Sequence, residues 1–308
     1  MVSVLRNTHL MIDWHNYGWT ILAGTKGSSH PFVQISRAYE IALGQTAPTA
    51  NVTVTHAMAR QLREEPYQVR TPILTLHDRP ASLFQPLRSL ANRRDFLERL
   101  PEIGGPAAAA SIVTGETRLL VSSTSWTPDE DFGLLLDALV TYGSTKGAAS
   151  RRPIVAIITG RGPQKAHYEA RVRALRDAGQ LPNVRVLTAW LSVEDYAALL
   201  ACADLGVCLH RSSSGVDLPM KVVDMFGAGL PVAAYSAYES FGELVREGEN
   251  GRGFETAGQL AAILARLFGD DKGVEELRAL REGARKEGSL RWDEEWDRVL
   301  GRVFGVIE

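Results

Sequence analysis

Short apolar segments that suit β-strands alternate with amphipathic segments that suit helices along almost the whole chain. This order is typical of parallel sheets with helices on their faces, because each crossover between parallel strands needs a connection of helix length. The segment Pro101–Glu116 interrupts the alternation, since it is rich in glycine, alanine and proline, and it is predicted to be a linker or a long surface loop. The predicted fold class is therefore α/β, with two doubly wound parallel-sheet domains.

The two series of segments differ in length. The first predicts about three strands and reads as the later part of a domain whose beginning is missing, whereas the second predicts about five strands and a whole doubly wound domain. We predict a partial first domain over residues 1–106, a second domain over 107–287 and a final helix over 288–308. Apolar residues at helical spacing give this helix a stripe that packs on the protein: Leu290, Trp292, Trp296, Val299, Leu300 and Val303.

Composition excludes several classes of protein. The 308 residues carry a formal net charge of −2, which argues against a dedicated nucleic-acid binder. Cys202 and Cys208 lie in one apolar run, so we expect neither a disulfide nor a cysteine metal site, and the usage fits a reducing compartment. No apolar run reaches the roughly 18–20 residues that span a bilayer, and the first residues do not form a secretory signal. No metal-ligand cluster and no cofactor are predicted.

In open parallel sheets, ligands bind beyond the carboxyl ends of the strands. At the first such exit of the second domain, Thr124 and Ser125 offer hydroxyl groups and Trp126 a stacking or packing face. The alternative is an ordinary helix entry. At the second exit, Gly160 and Gly162 allow close backbone approach and Arg161 adds charge, in a pattern that is neither a Walker loop nor G-x-G-x-x-G.

The third exit carries Trp190 and Leu191, which suit either an apolar wall for a base or core packing. The fourth exit precedes a predicted helix with Pro219 in its first turn, whose free N–H groups and dipole favour an anion. Lys221 and Asp224 are three residues apart on that helix, so a lysine for phosphates and a carboxylate for ribose hydroxyls are predicted on one face. The alternative is a solvated Lys/Asp pair on a capped helix. The predicted residues of this exit are Ser213, Ser214, Gly215, Asp217, Lys221 and Asp224.

The order of these motifs resembles the donor-binding domain of glycosyltransferases of the GT-B fold. More closely, the chain resembles the chitobiosyldiphosphodolichol beta-mannosyltransferase family over essentially its whole length. The resemblance is carried by "IDWHNYGW", "GSSHPFV", "SSTSWTPDEDFGLLLDAL" and "SSSGVDLPMKVVDMFGAGLPV".

This resemblance implies two Rossmann-like domains that face each other across a cleft. The second domain would bind the donor GDP-mannose, and the first would present the acceptor, dolichyl-diphosphate chitobiose. It implies that Asp224 holds the donor ribose, that Gly215 to Lys221 form the phosphate-binding turn with Gly160 to Gly162 as its neighbour, and that Trp190–Leu191 form the strand exit that binds the base. Asp217 and Asp224 are separated by six residues rather than the seven of the commoner Glu-x7-Glu pattern, so Asp224 is the preferred acid.

The family also implies a location and further partners. Its members work at the cytosolic face of the endoplasmic reticulum membrane, where other early mannosyltransferases are expected partners, and their final helix crosses back to the first domain. They begin with a membrane anchor, the first strands and a glycine-rich loop. We expect this chain to lack both the anchor and those strands.

Three functions remain open on this evidence. The first is inverting mannosyl transfer by direct displacement, for which Asp13, His15 and Asp78, each near a predicted strand end, are the candidate general bases. His15 would otherwise bond the following turn, and Asp78 would pair with Arg79. The second is a non-catalytic remnant that binds nucleotide sugars or associates with a transferase. The third is a soluble GT-B glycosyltransferase with another acceptor.

Overall fold

A computed structural model describes residues 9–46, 49–144 and 151–305. It contains two parallel sheets, one of three strands and one of six. The α/β class with two parallel sheets is confirmed. None of the helices within the described ranges is long and apolar enough to cross a membrane.

The first sheet has the strand order β1-β2-β3, with all neighbours parallel. Its core is aromatic, with Trp14, Tyr17 and Tyr67 packed edge-on or stacked around Met58 and Leu62. Its elements are β1 (Met11–Trp14), α1 (Gly18–Lys26), α2 (Pro31–Thr46), β2 (Ala50–Thr53), α3 (His56–Arg63) and β3 (Ile73–Thr75).

The second sheet has the order β6-β5-β4-β7-β8-β9, so the chain reverses direction across the sheet between β4 and β7. Such a switch point leaves a crevice beyond the carboxyl ends of the two central strands. Its strands are β4 (Arg118–Ser123), β5 (Ile154–Thr159), β6 (Val184–Ala189), β7 (Leu205–Cys208), β8 (Val232–Tyr235) and β9 (Gly251–Phe254). The last strand was not expected, because "GRGF" has too few apolar residues to indicate one.

Helices cover both faces of this sheet and are joined to it by short loops. They are α4 (Leu90–Arg99), α5 (Pro106–Thr114), α6 (Phe132–Ser144), α7 (Lys165–Asp177), α8 (Val193–Cys202), α9 (Met220–Gly227), α10 (Phe241–Leu244), α11 (Ala257–Gly269) and α12 (Asp271–Gly288). They are followed by α13 (Trp292–Trp296) and a π-helical turn, Asp297–Gly301. α12 was not predicted either, although its residues follow a helical pattern.

The prediction of a linker or long surface loop at Pro101–Glu116 is wrong. A 3₁₀ turn (Pro101–Ile103) and α5 occupy it, and Ile103 and Ile112 are fully buried. Proline suits the first helical position because its missing N–H has no helical partner there, and the alanines that follow have the highest helix propensity. The small, apolar composition therefore reflects a helix packed tightly into a core rather than a flexible connection.

The hydrophobic cores divide the chain earlier than the predicted boundary at residue 106. Phe96 and Leu97 of α4 share one buried cluster with Leu119 and Val121 of β4. α4 and α5 thus pack with the second sheet, and the chain passes from one core to the other before α4.

The end of the chain packs on the first sheet. Leu300 is buried with Val52 and Leu76, and Trp296 and Val299 pack beside them. The rest of the predicted apolar stripe is more exposed, since Trp292 and Val303 expose 39% and 53% of their surface. The segment is one short α-helix and a π-helical turn rather than one regular helix, so the stripe is not aligned along a single face.

Replacing Ile112 by alanine tests whether α5 belongs to the core. Because the side chain is fully buried, Ile112→Ala should lower the free energy of unfolding by about 2–5 kcal/mol. Urea denaturation followed by circular dichroism measures it. Thr114→Ala, on the exposed side of the same helix, is the control. Equal stabilities of the two variants would contradict the buried helix.

Candidate active site

The predicted binding residues of the second domain gather around the crevice at the switch point. The loop after β4 (residues 124–131) and the loop after β7 (residues 209–219) face each other there, and a short antiparallel bridge between Glu130 and His210 joins them. The loop after β5 adjoins the loop after β4 through the hydrogen bond from Gln164 N to Trp126 O. Loops that sequence analysis treated separately thus form one continuous wall.

The buried carboxylate of Glu130 connects these loops, and sequence analysis missed it. Its side chain is 2% exposed, accepts hydrogen bonds from Thr124 Oγ1, Ser125 N and Ser125 Oγ, and forms an ion pair with Lys221. Burial opposes the charge, but Lys221 and the Ser125 donors outweigh it and lower the pKa of Glu130. In the sequence Glu130 is one of several acids in "PDEDF", and nothing there distinguishes it.

Lys221 therefore does not stand free on the face of α9 as predicted. Its ammonium group pairs with Glu130, and about 31% of the side chain remains exposed. An anion in the crevice would meet a lysine that is already held in position. The predicted Lys221–Asp224 face is thus divided, with Lys221 directed to the loop after β4 and Asp224 left alone.

The side chain of Asp224 has no hydrogen-bond or ion-pair partner among the residues that the structure describes. Burial alone raises the pKa of its carboxyl group to about 6. Its charge also adds to the raised pKa of Tyr196, which burial brings to about 12, so carboxylate and phenol lie near each other. A partly buried carboxylate without a donor is costly to the fold, and a ligand hydroxyl would relieve that cost.

Gly160 and Gly162 allow a close approach as predicted, but the group that approaches them is the backbone of the loop after β4. A Cβ atom on Gly160 would lie 1.8 Å from Thr124 O, and one on Gly162 would lie 1.7 Å from Ser125 O. These glycines therefore let the loops after β4 and β5 touch. Their position next to a phosphate stays a prediction.

Trp126 does not face a ligand, which corrects the expectation of a stacking surface. The indole is 1% exposed and packs against Phe132, while its Nε1 donates to Gly160 O over 3.2 Å. Thr124 is also buried and bonds Glu130. Both side chains support the loop from beneath, which is the helix-entry alternative, and Ser125 keeps an exposed edge beside Thr127.

The loop after β6 presents an aromatic surface. The Trp190 ring is 57% exposed, and the Arg161 guanidinium lies over it at 4.0 Å from the ring centre. Next to it a cavity of about 400 Å³ opens, lined by Thr159, Gly160, Trp190, Leu191, Ser192, Val193 and Tyr196. Leu191 is partly buried against the core, so of the two predicted residues Trp190 offers the larger free face.

The loop before α9 is held by the first domain. Asp217 Oδ2 accepts from Asn16 Nδ2 at 2.9 Å and lies 3.2 Å from His210 Nε2. Burial opposes its charge, but hydrogen bonds led by that of His210 outweigh it and lower the pKa of Asp217. Asp217 thus does not cap α9. Pro219 is the N-cap residue, and no side chain caps the free N–H groups of α9.

Ser213, Ser214 and Gly215 shape this loop. Ser213 Oγ lies 3.0 Å from Thr20 Oγ1 of α1, and Ser214 Oγ accepts from Val216 N. Gly215 has φ +80° with nothing near its missing Cβ, so the glycine is required by the backbone angle and not by a close contact.

The three candidate bases lie together in the first domain. His15 Nε2 is 3.0 Å from Asp13 Oδ2, and this hydrogen bond raises the pKa of His15. Burial raises the pKa of Asp78, which also senses the charges of His15 and Asp13. The expected pairing of Asp78 with Arg79 is wrong, because Arg79 bonds Glu287 at 2.8 Å. Asn16, next to His15, contacts Asp217, so this group borders the crevice.

A second cluster joins the domains beside the site. His56, His77 and Glu243 have potential metal-ligating atoms within 4.8 Å of one another. Their positions lie up to 187 residues apart, so spacing in the sequence does not reveal them.

Comparisons with known proteins bear on this crevice. A family model, glycosyl transferases group 1, matches residues 116–270. The chain is similar in structure to Alr3699/HepE from Anabaena, whose crystal structure contains UDP. The TM-score is 0.71 and the sequence identity 14%, and the match covers 99% of this chain and 74% of that one. The fold is therefore that of GT-B glycosyltransferases.

The curated relatives define the family. The chain is 50% identical to the chitobiosyldiphosphodolichol beta-mannosyltransferase of Arthroderma benhamiae, covering 98% of this chain and 67% of that protein. It is 38% identical to the protein of that name from Homo sapiens, covering 96% and 67%. The chain belongs to the chitobiosyldiphosphodolichol beta-mannosyltransferase family, and it spans about two thirds of the length of the relatives it matches.

The isolated charge of Asp224 predicts a pH-dependent gain of stability in Asp224→Asn. The pKa of about 6 in the folded protein lies above the ordinary aspartate value of 3.8, so the wild type loses stability as pH rises from about 4 to 6. Relative to wild type, the variant should therefore gain stability over this interval and keep the gain at pH 7. Urea denaturation across pH 4–8 measures it.

The control for this measurement is Asp177→Asn, at an exposed carboxylate at the end of α7. It should show no such gain. A stability difference between Asp224→Asn and wild type that does not change between pH 4 and 7 would contradict the desolvated carboxylate.

Proposed function

We propose that this chain transfers mannose from GDP-mannose to dolichyl-diphosphate chitobiose with inversion at the anomeric carbon. The observation that carries the proposal is the carboxylate of Asp224, which has no side-chain partner among the described residues. It lies one turn into α9, whose start no side chain caps, and its charge acts on Tyr196, which lines the Trp190 cavity. A nucleoside diphosphate has complementary parts in the same order: a base, two vicinal ribose hydroxyls and a diphosphate. The names of the relatives support mannose as the transferred sugar and a dolichol-linked chitobiose as the acceptor.

In this proposal each part of the donor meets one described feature. The guanine base occupies the cavity beside Trp190 and Leu191, with Arg161 at its edge. The ribose hydroxyls donate to Asp224, and the diphosphate lies against the free N–H groups of α9. Ser213, Ser214 and Gly215 border the phosphates from the loop before α9.

The departing diphosphate gains negative charge as the bond to mannose breaks. Lys221 is placed to stabilise it, because its ammonium group lies beside α9 and is held by Glu130 before the donor arrives. Together with the helix dipole, this stabilises the leaving group without requiring a metal ion. Glu130 acts on the reaction through Lys221 and is a positioning residue.

The acceptor hydroxyl must lose a proton as its oxygen attacks the anomeric carbon. We place this role in the group of Asp13, His15 and Asp78. A carboxylate whose pKa is raised is a stronger base than an ordinary one, and burial raises the pKa of Asp78. The proton passes from the acceptor oxygen to this group while the bond between mannose and GDP breaks.

The acceptor also sets the expected location. A dolichyl chain keeps it in a membrane, so we propose that the chain works at the cytosolic face of the endoplasmic reticulum. Other early mannosyltransferases of the same pathway are the proposed partners there.

Calorimetric titration with GDP and GDP-mannose tests the donor site. Asp224→Ala should weaken binding by about 1–3 kcal/mol, or roughly 10- to 100-fold, through lost charged hydrogen bonds. Asp177→Ala, at the exposed end of α7, should bind as the wild type does. An unchanged affinity in Asp224→Ala would remove this residue from the site, and no binding by the wild type at millimolar donor would overturn the proposal.

The pH profile of mannosyl transfer to chitobiosyl lipid tests the base. Activity should fall as pH decreases through the raised pKa of Asp78, because a protonated base cannot accept the acceptor proton. Asp78→Asn should lower kcat roughly 100-fold or more with little change in KM for the donor. Asp95→Asn, at an exposed position of α4, is the control.

The outcomes separate the rival functions. Unchanged kcat in Asp13→Asn, His15→Gln and Asp78→Asn would place the base elsewhere. Donor binding without transfer would favour a non-catalytic binding protein, whereas transfer to a different acceptor would favour another GT-B glycosyltransferase.

A further inference from the structure

We infer that His56, His77 and Glu243 form a binding site for a divalent transition-metal ion, with Zn²⁺ as its representative. One ligand atom from each residue lies within 4.8 Å of the others. Two imidazoles and one carboxylate are ligands that zinc, cobalt and nickel prefer, whereas magnesium and calcium prefer oxygen alone. This site uses none of the residues to which the proposed function assigns a role, and it lies next to the candidate base Asp78, which follows His77 in the chain.

Glu243 is fixed in place before any ion binds. Its two carboxylate oxygens accept the backbone N–H groups of His56 and Ala57, each at 2.7 Å, at the N-terminus of α3. Each oxygen has a further lone pair, so these bonds leave room for a metal. Preorganised ligands lose little conformational freedom on binding.

The distance between Glu243 and His77 already fits a metal site. His77 Nε2 and Glu243 Oε2 are 3.1 Å apart. Ligands at the usual zinc bond lengths of about 2.0–2.1 Å lie roughly 3.3 Å apart on the edge of a tetrahedron. An ion would therefore replace the proton between these two atoms with little movement of either side chain.

A second carboxylate lies behind His77. Glu295 Oε1 is 3.8 Å from His77 Nδ1, and this side chain is 8% exposed and paired with Arg79 and Arg298. The distance is longer than a hydrogen bond, so the contact is electrostatic. Metal-binding histidines commonly present their other nitrogen to a carboxylate, and Glu295 is the carboxylate on that side of His77.

His56 completes the set from the exposed side. Its ring meets that of His77 edge to face, with centres 5.0 Å apart, and it lies at the surface where it can rotate toward the ion. The open side leaves a fourth position for water and a path for entry. His77 and His56 belong to the first domain and Glu243 to the second, so a bound ion would cross-link the two domains.

Calorimetry of the whole chain, stripped with chelator and titrated with ZnCl₂, tests the inference. We expect one ion per chain and weak or no response to MgCl₂. His56→Ala should weaken zinc binding by more than roughly 100-fold because it removes a ligand, while Glu295→Gln should weaken it roughly 10- to 100-fold. Cobalt in place of zinc should give the intense visible bands of a four-coordinate ion.

The matched control is His167→Ala, at an exposed histidine on α7, which should bind zinc as the wild type does. Because the His56 ring is exposed, His56→Ala should fold, and circular dichroism verifies this. Zinc affinity that is unchanged in folded His56→Ala would overturn the inference. So would the absence of any saturable zinc binding to the folded wild type.

Discussion

The buried carboxylate of Glu130 is the interaction on which the candidate active site depends. It holds the hydroxyl and amide groups of the loop after β4 and at the same time fixes the ammonium group of Lys221 on α9. A buried charge is stable only with such partners, so the two loops that flank the switch point are bound to one another. The carboxylate of Asp224, unlike those of Glu130 and Asp217, has no such partner among the described residues, and that contrast marks where a ligand is needed.

The loop before α9 joins the two domains. Val216, from the loop before α9, is fully buried in the aromatic core of the first domain, and its carbonyl accepts from Thr55 Oγ1 at 2.6 Å. Nearby, Glu243 caps α3 of the first domain. The position of the loop before α9 is therefore linked to the packing of the first domain, and Asn16, next to the candidate base His15, contacts Asp217 across the same interface.

The strands and helices of the second domain were predicted well because local apolar patterns determine them. Prediction from the sequence was less successful where the packing of distant residues determines the burial and the contacts of a side chain. The alanine-rich helix at Ile112 looked like a linker, and the sequence left open whether Trp126 stacks on a ligand or packs inside the protein, where it is buried. Close backbone approach at Gly162 was predicted, but not that the approaching backbone is that of Ser125. Lys221 and Asp224 were identified by their spacing, but their different partners were not. Glu130 and the His56–His77–Glu243 cluster depend on contacts between distant residues, which no local pattern contains.

A crystal structure of the chain with GDP-mannose tests the central claim most directly. The account predicts the ribose hydroxyls within hydrogen-bond distance of Asp224, the base beside Trp190 and the diphosphate at the start of α9, with Lys221 turned toward it. A donor bound elsewhere, or bound in the crevice with Asp224 still without a partner, would contradict it.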